Sequence, residues 1–146
     1  MEQQQHTIVI AIITNDKNEI LLAKRHEPES EHTHGKWEFV GGGMEFGEKP
    51  EDAVKREARE EAGVEIKTVR LLPKVFSNLW NFDDGRQQQI IMLSYECKIV
   101  DGVPTPNLGE NIGELKFVSI DEIKNMDTLP QLYEMAKMIL SQPLST

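Results

Sequence analysis

Apolar positions along the chain change period several times, and each change marks an element. Residues 7–14 are rich in β-branched side chains and short enough for a buried strand. Asn15-Asp16-Lys17-Asn18 is a turn cluster, and residues 19–25 read as the returning strand of a hairpin. Residues 26–36 are polar and read as a loop. Residues 37–40 are extended and run into Gly41-Gly42-Gly43. Pro50 opens a helix that ends at Ala62, because acids follow the Pro and Gly63 stands just past the end. Ala53, Val54, Ala58 and Ala62 give that helix a narrow apolar face, and their small size favours close packing. Residues 64–76 and 88–100 read as two strands, with a hairpin loop at 81–86 between them. Residues 101–114 hold two Pro and three Gly and read as a loop. Residues 115–119 form a further strand, Asp121 caps a short helix, and 129–140 form an amphipathic helix. Strands and helices in this order predict a mixed sheet with helices, α/β or α+β.

Composition narrows the class. A chain of 146 residues fits one domain spanning 1–146. Sixteen Lys+Arg against 25 Asp+Glu give a net charge of −9, which argues against a basic face for a nucleic-acid duplex or anionic lipid. The mean hydropathy of −0.46 is that of an ordinary soluble protein. The longest apolar run, 8–13, is far short of the roughly 20 residues that span a bilayer. Residues 1–7 carry no basic residue and no long apolar core, so no secretion signal is expected and a cytoplasmic location is. The single cysteine, Cys97, makes no internal disulfide and no Cys-based zinc site; apolar neighbours predict a buried, inert thiol.

The chemistry concentrates between residues 42 and 64. Glu57, Glu60 and Glu61 stand at i, i+3 and i+4, so a helix puts all three carboxylates on one face. Like charges so placed repel by about 0.2–0.5 kcal/mol per pair. Arg56 and Arg59 offset part of this, and a divalent cation is the stronger candidate. Carboxylate oxygens suit hard ions, and Mg²⁺ commonly takes one or two carboxylates and completes its shell with water and substrate phosphates. An acidic face with few bases therefore fits a phosphate substrate held through a metal.

Gly42, Glu48 and the run Arg56-Glu57-Ala58-Arg59-Glu60-Glu61-Ala62-Gly63-Val64 match the Nudix box, Gx5Ex7REUxEExGU with U aliphatic, at every fixed position. Seven fixed residues at about 7% each make a chance match on the order of 10⁻⁸ per start. The chain thus resembles the Nudix family, and the flanking element order extends the likeness over nearly its whole length. The resemblance implies an α/β/α sandwich with a mixed central sheet and hydrolysis of nucleoside diphosphate linkages with Mg²⁺ or Mn²⁺. It implies Glu57, Glu60 and Glu61 as metal ligands, Arg56 as the arginine that orients them, and Glu48 as a structural partner. Glu60 or Glu61 is expected nearest the metal. An acid from a later loop often completes the site, and Glu110, in a more loop-like context, is favoured over Glu114. Gly42 and Gly43 are expected to turn sharply or approach phosphate, and Trp37, Phe39 and Trp80 to contact substrate.

The segment Trp37-Glu38-Phe39-Val40-Gly41-Gly42-Gly43 resembles that of MutT-type enzymes, with Val40 where those usually carry Pro. ADP-ribose hydrolases tend to carry Pro about sixteen residues past the box, where this chain has Trp80. The expectation is hydrolysis of a nucleoside triphosphate, normal or modified, to monophosphate and pyrophosphate. Alternatives are hydrolysis of ADP-ribose, a nucleotide sugar or a dinucleoside polyphosphate, and a non-catalytic nucleotide-binding module. Residues 26–40 and 75–86 are expected to read the base. Many relatives pair, which makes a homodimer one expectation.

Overall fold

The computed structural model describes residues 2–30 and 32–140. Met1, Glu31 of the expected 26–36 loop, and residues 141–146 of the expected 1–146 domain lie outside that description. The chain runs β1 (Gln3–Ile13), β2 (Ile20–Arg25), β3 (Trp37–Gly43), α1 (Pro50–Ala62), β4 (Glu65–Leu71), β5 (Phe76–Asn81) and β6 (Gln87–Asp101). A 3-10 turn at Leu108–Glu110 then leads into β7 (Ile112–Val118), α2 (Ile120–Ile123) and α3 (Leu132–Leu140). The strands form a seven-stranded sheet in the order β4-β6-β1-β3-β2-β7, with β5 also paired to β6. β1 and β6 are parallel and the other pairs antiparallel, so the sheet is mixed as expected.

Helices cover both faces. Val9, Ala11, Ile13, Leu21, Val40 and Tyr95 pack against Ala53, Val54, Ala58 and Ala62 of α1. Ile10, Ile12, Leu22, Phe39 and Met92 pack against Ile123 of α2 and Leu132, Met135 and Ile139 of α3. β1 therefore alternates between two cores, which is why its sequence is an unbroken apolar run and not an in–out alternation.

Several boundaries differ from the sequence reading. Residues 7–14 and 19–25 do not pair as a hairpin. The turn closes with one bridge, Thr14 to Ile20, and β3 then lies between β1 and β2. Residues 64–76 are not one strand: Pro73 sits in the break between β4 and β5, where a residue without N–H cannot serve a ladder. The hairpin loop expected at 81–86 is present, but it joins β5 to β6. Residues 101–114 are not all loop, since the 3-10 turn and the start of β7 lie within them. Asp121 does not cap α2. Ser119 does, in a capping box with Glu122. Gly63 ends α1 at φ +67°, its N–H reaching the carbonyls of Ala58 and Arg59, as the sequence predicts.

Cys97 lies fully buried in the α1-side core, and burial, with the Glu96 charge beside it, pushes its thiol up to about 12. The native protein should therefore resist a thiol-specific aromatic disulfide reagent at pH 8 and release one equivalent of chromophore only on unfolding. Rapid reaction of the native protein would refute this placement.

Candidate active site

Arg56 lies at the centre of the α1 carboxylates. Its Nε donates to Glu48 Oε2 at 2.8 Å and its Nη2 to Glu48 Oε1 at 3.0 Å, a bidentate pair. Nη1 donates to Glu57 Oε1 at 3.0 Å and to Glu60 Oε2 at 3.1 Å. Nη2 also donates to the Gly43 carbonyl at 2.9 Å. These five bonds match the five N–H donors of a guanidinium. The fork raises the Arg56 pKa, chiefly through Glu48. It holds the Glu48 carboxyl at about 2, helped by the Glu45 N–H. The expected orienting arginine and structural glutamate are thus in direct contact.

The remaining box acids are more buried than a solvated helix face allows. Glu57 is 7% exposed and Glu61 6%. Burial raises both carboxyl pKa values; for Glu61 the value reaches about 8, against the opposing bond from the Gly41 N–H to its Oε1 at 2.8 Å. The Glu60 side chain is 39% exposed. Glycine is needed at two positions of β3 for different reasons: β1 backbone crowds Gly41, and α1, with its small side chains, crowds Gly42. A Cβ on Gly41 would stand 2.2 Å from the Val9 carbonyl oxygen, and one on Gly42 2.6 Å from Glu57 Oε1. Gly42 sits in β3 opposite Val9 and does not turn the chain, contrary to the sharp-turn expectation. Gly43 serves through its carbonyl on Arg56.

Two residues that the sequence reading did not single out complete the floor. Strand alternation puts Glu38 on the α1 side with Val40. Its charge raises the Glu61 pKa, and Glu57 in turn raises that of Glu38. Burial is the chief cause that raises the Glu38 carboxyl, against the Arg25 Nη1 bond to its Oε1 at 2.7 Å. Arg25 also pairs with Glu27 of the 26–36 loop. Strand alternation is the signal that finds Glu38; Arg25 carries none.

Glu110, on the 3-10 turn, lies near enough for its charge to raise the Glu57 pKa. Glu114 instead sits in β7 opposite Lys24 of β2. Glu57, Glu60, Glu61 and Glu110 offer only carboxylate oxygens, a donor set that fits a hard divalent cation. Among the described residues no three acidic, His or Cys side chains already converge into a group able to hold an ion. The Arg56 bonds to Glu57 and Glu60, and that of Glu61 to Gly41, account for where those carboxylates point.

Two adjoining spaces, the first on the α2/α3 face of the sheet, meet this cluster at Glu38 and Arg25. An apolar cleft of ≈ 170 Å³ is lined by Glu38, Phe39, Asn78, Trp80, Met92 and Leu132. A polar groove of ≈ 750 Å³ runs between the 26–36 loop, with Arg25, His32 and Thr33, and the β5–β6 hairpin, with Asn81, Arg86 and Gln88. Trp80, Ile90 and Leu129 line both. Phe39 is 5% exposed and belongs to the core whose edge forms the cleft. Trp37 is tied by its backbone to Asp127 and Leu129, with the Lys24 ammonium 5.8 Å from its ring centroid. The structure brings Trp80 and Phe39 to one cleft and leaves Trp37 outside its lining.

Two substitutions test the hub. Gly42→Ala meets only the flexible end of Glu57, so it should leave the melting temperature nearly unchanged and lower turnover at least tenfold by displacing that carboxylate. Arg56→Ala should lower both, because it leaves clustered carboxylates unpaired. Thermal melts read beside initial rates check both; equal rates for wild type and Gly42→Ala would refute the packing argument.

The wider comparisons concern the family and the fold. Residues 4–138 match the family model of the NUDIX domain. The chain is 30% identical over 127 residues to the nucleoside triphosphatase NudI of Escherichia coli O139:H28, covering 85% of this chain and 89% of that protein. Among solved structures it is similar to the E. coli ORF135 protein, at 26% identity, a TM-score of 0.71, and coverage of 95% of this chain and 91% of that one. It also matches the fold of a MutT NUDIX hydrolase from Burkholderia pseudomallei at 24% identity and a TM-score of 0.75, over 93% of this chain and 98% of that one. With the box intact and these matches spanning most of its length, the chain belongs to the Nudix hydrolase family.

Proposed function

We propose that this chain hydrolyses a nucleoside triphosphate to monophosphate and pyrophosphate with Mg²⁺ or Mn²⁺. The observation that carries the reading is the Arg56 fork, which holds the Glu48, Glu57 and Glu60 carboxylates on one guanidinium. The 30% identity to a protein named a nucleoside triphosphatase supports the substrate class.

Glu57, Glu60, Glu61 and Glu110 would hold the cation. When bound, it supplies charge neutralisation at phosphate oxygens and a lowered pKa for coordinated water. Trp80 offers a flat face for the base at the boundary of the cleft and groove, and Asn78 an amide for its edge. Arg25 and Arg86 line the groove among Glu27, Asp83 and Asp84, Arg25 paired with Glu27 and Arg86 with Asp84, and each guanidinium is a donor that a substrate phosphate would take over from its acid. Glu60, the most exposed of the three helix glutamates, takes the proton as water adds to phosphorus. The bond from that phosphorus to the leaving pyrophosphate or monophosphate then breaks. Glu61 stays fixed on the Gly41 N–H and sets where the helix meets β3. The groove and cleft suit a small-molecule nucleotide.

The test is product analysis by chromatography with Mg²⁺. The panel holds common, oxidised and methylated triphosphates, ADP-ribose, nucleotide sugars and dinucleoside polyphosphates. Monophosphate plus pyrophosphate should appear from at least one triphosphate. Glu61→Gln should lower that rate by on the order of 10²-fold or more. AMP from ADP-ribose with silence on every triphosphate would replace this reading with the ADP-ribose alternative. Metal-dependent binding without turnover across the panel would favour a binding module.

A further inference from the structure

Helix α1 ends with backbone carbonyls that have no partner within the helix, as every helix does. Here the loop between β6 and β7 supplies the partners. The Thr105 N–H donates to the Ala62 carbonyl at 2.9 Å, and Asn107 Nδ2 donates to the Glu60 carbonyl at 2.8 Å. Asn107 also organises the 3-10 turn that follows it. Its Oδ1 accepts from the Gly109 N–H at 3.0 Å, and its carbonyl accepts from the N–H groups of Glu110 at 3.0 Å and Ile112 at 3.1 Å. One side chain therefore grips the helix at Glu60 with its amide nitrogen and the turn carrying Glu110 with its oxygen.

The grip opposes electrostatics. Glu110 ends the turn that Asn107 caps, and Asn107 is bonded to the backbone of Glu60, so the turn is docked at the end of α1 that carries the acids. Like charges would drive a free loop away from those acids, and the Asn107 grip, with the Thr105 bond to Ala62, holds it there. The turn is exposed and Asn107 itself is exposed, so packing does not account for the placement. Holding Glu110 there is useful when a cation lies between the carboxylates.

We propose that Asn107 is a positioning residue that docks Glu110 onto α1, so that Glu110 joins Glu57 and Glu60 around a divalent cation. This rests on the metal-dependent reading above. Residues that orient metal ligands typically change affinity by about 10–100-fold when removed.

The experiment is calorimetric titration of the full chain with Mn²⁺ alone, for wild type, Asn107→Ala, Glu110→Gln and the double variant, with thermal melts of each without metal. Asn107→Ala and Glu110→Gln should each weaken Mn²⁺ binding by about tenfold or more. The double variant should bind no more weakly than Glu110→Gln, because both changes remove one interaction. Should Asn107→Ala melt far below wild type, Asn107→Ser takes its place. Its hydroxyl keeps a weaker acceptor for the Gly109 N–H on a shorter side chain without the amide donor to Glu60 and without added charge, and the same non-additivity is expected. Wild-type affinity in the Asn107 variants, or losses that multiply in the double variant, would overturn the proposal. So would wild-type affinity in Glu110→Gln, and in each of these cases the metal-dependent reading stands. Absence of Mn²⁺ binding to wild type would overturn that reading as well.

Discussion

The local architecture depends on one guanidinium. Four carboxylates, those of Glu45, Glu48, Glu57 and Glu60, face Arg56 within 4 Å, and two of them belong to the loop ahead of the helix that carries the other two. A planar fork with fixed donor directions can satisfy such a set; an ammonium, with three donors on one atom, cannot reach both sides at once. The fork also takes the Gly43 carbonyl, so the end of β3, the following loop and the second half of α1 are set by the same group. Remove that charge and the acids have no common partner, whatever the helix propensity of the segment.

Close packing of α1 on β3 follows from side-chain size and has two consequences. Ala53, Ala58 and Ala62 are fully buried and let the helix axis approach the sheet. The approach brings Glu61 within reach of a strand N–H and pushes the Glu57 carboxylate onto Gly42. Gly42 is therefore a packing residue of the helix–strand contact. The cost is that Glu57 and Glu61 leave water, and their raised carboxyl pKa values express it. Arg56 offsets part of that cost at Glu57 and the Gly41 N–H part of it at Glu61, and on the proposed reading a cation would offset more.

The helix and its acids were legible in the sequence because local rules govern them: a start at Pro50, a stop at Gly63 and a spacing that fixes the shared face. The sheet was less legible. Asn15–Asn18 correctly signals a reversal, but the insertion of β3 between β1 and β2 is a long-range pairing with no local mark. Pro73 carried a break signal that a continuous-strand reading overlooked. Glu38 was readable from alternation with Val40, whereas the grip of Arg25 on it depends on β2 pairing with β3. Asn107 lay in a stretch whose Pro and Gly content says only loop, and its contact with Glu60 spans 47 positions.

The division of labour follows from which elements carry which groups. The acids and their arginine sit on one helix and one adjoining loop, tied by bonds that leave little freedom. The groove is walled instead by the 26–36 loop and the β5–β6 hairpin, two segments that bear few constraints from the core. Arg25 reaches both: it lines the groove, pairs with Glu27 of the loop and binds Glu38, whose charge reaches Glu61. Any ligand that draws the Arg25 charge toward the groove weakens its hold on Glu38 and so alters the field felt by Glu57 and Glu61. On the proposed reading, substrate in the groove and charge at the helix acids are thereby coupled through a single residue, and changes in the hairpin alone alter substrate choice without disturbing the acids.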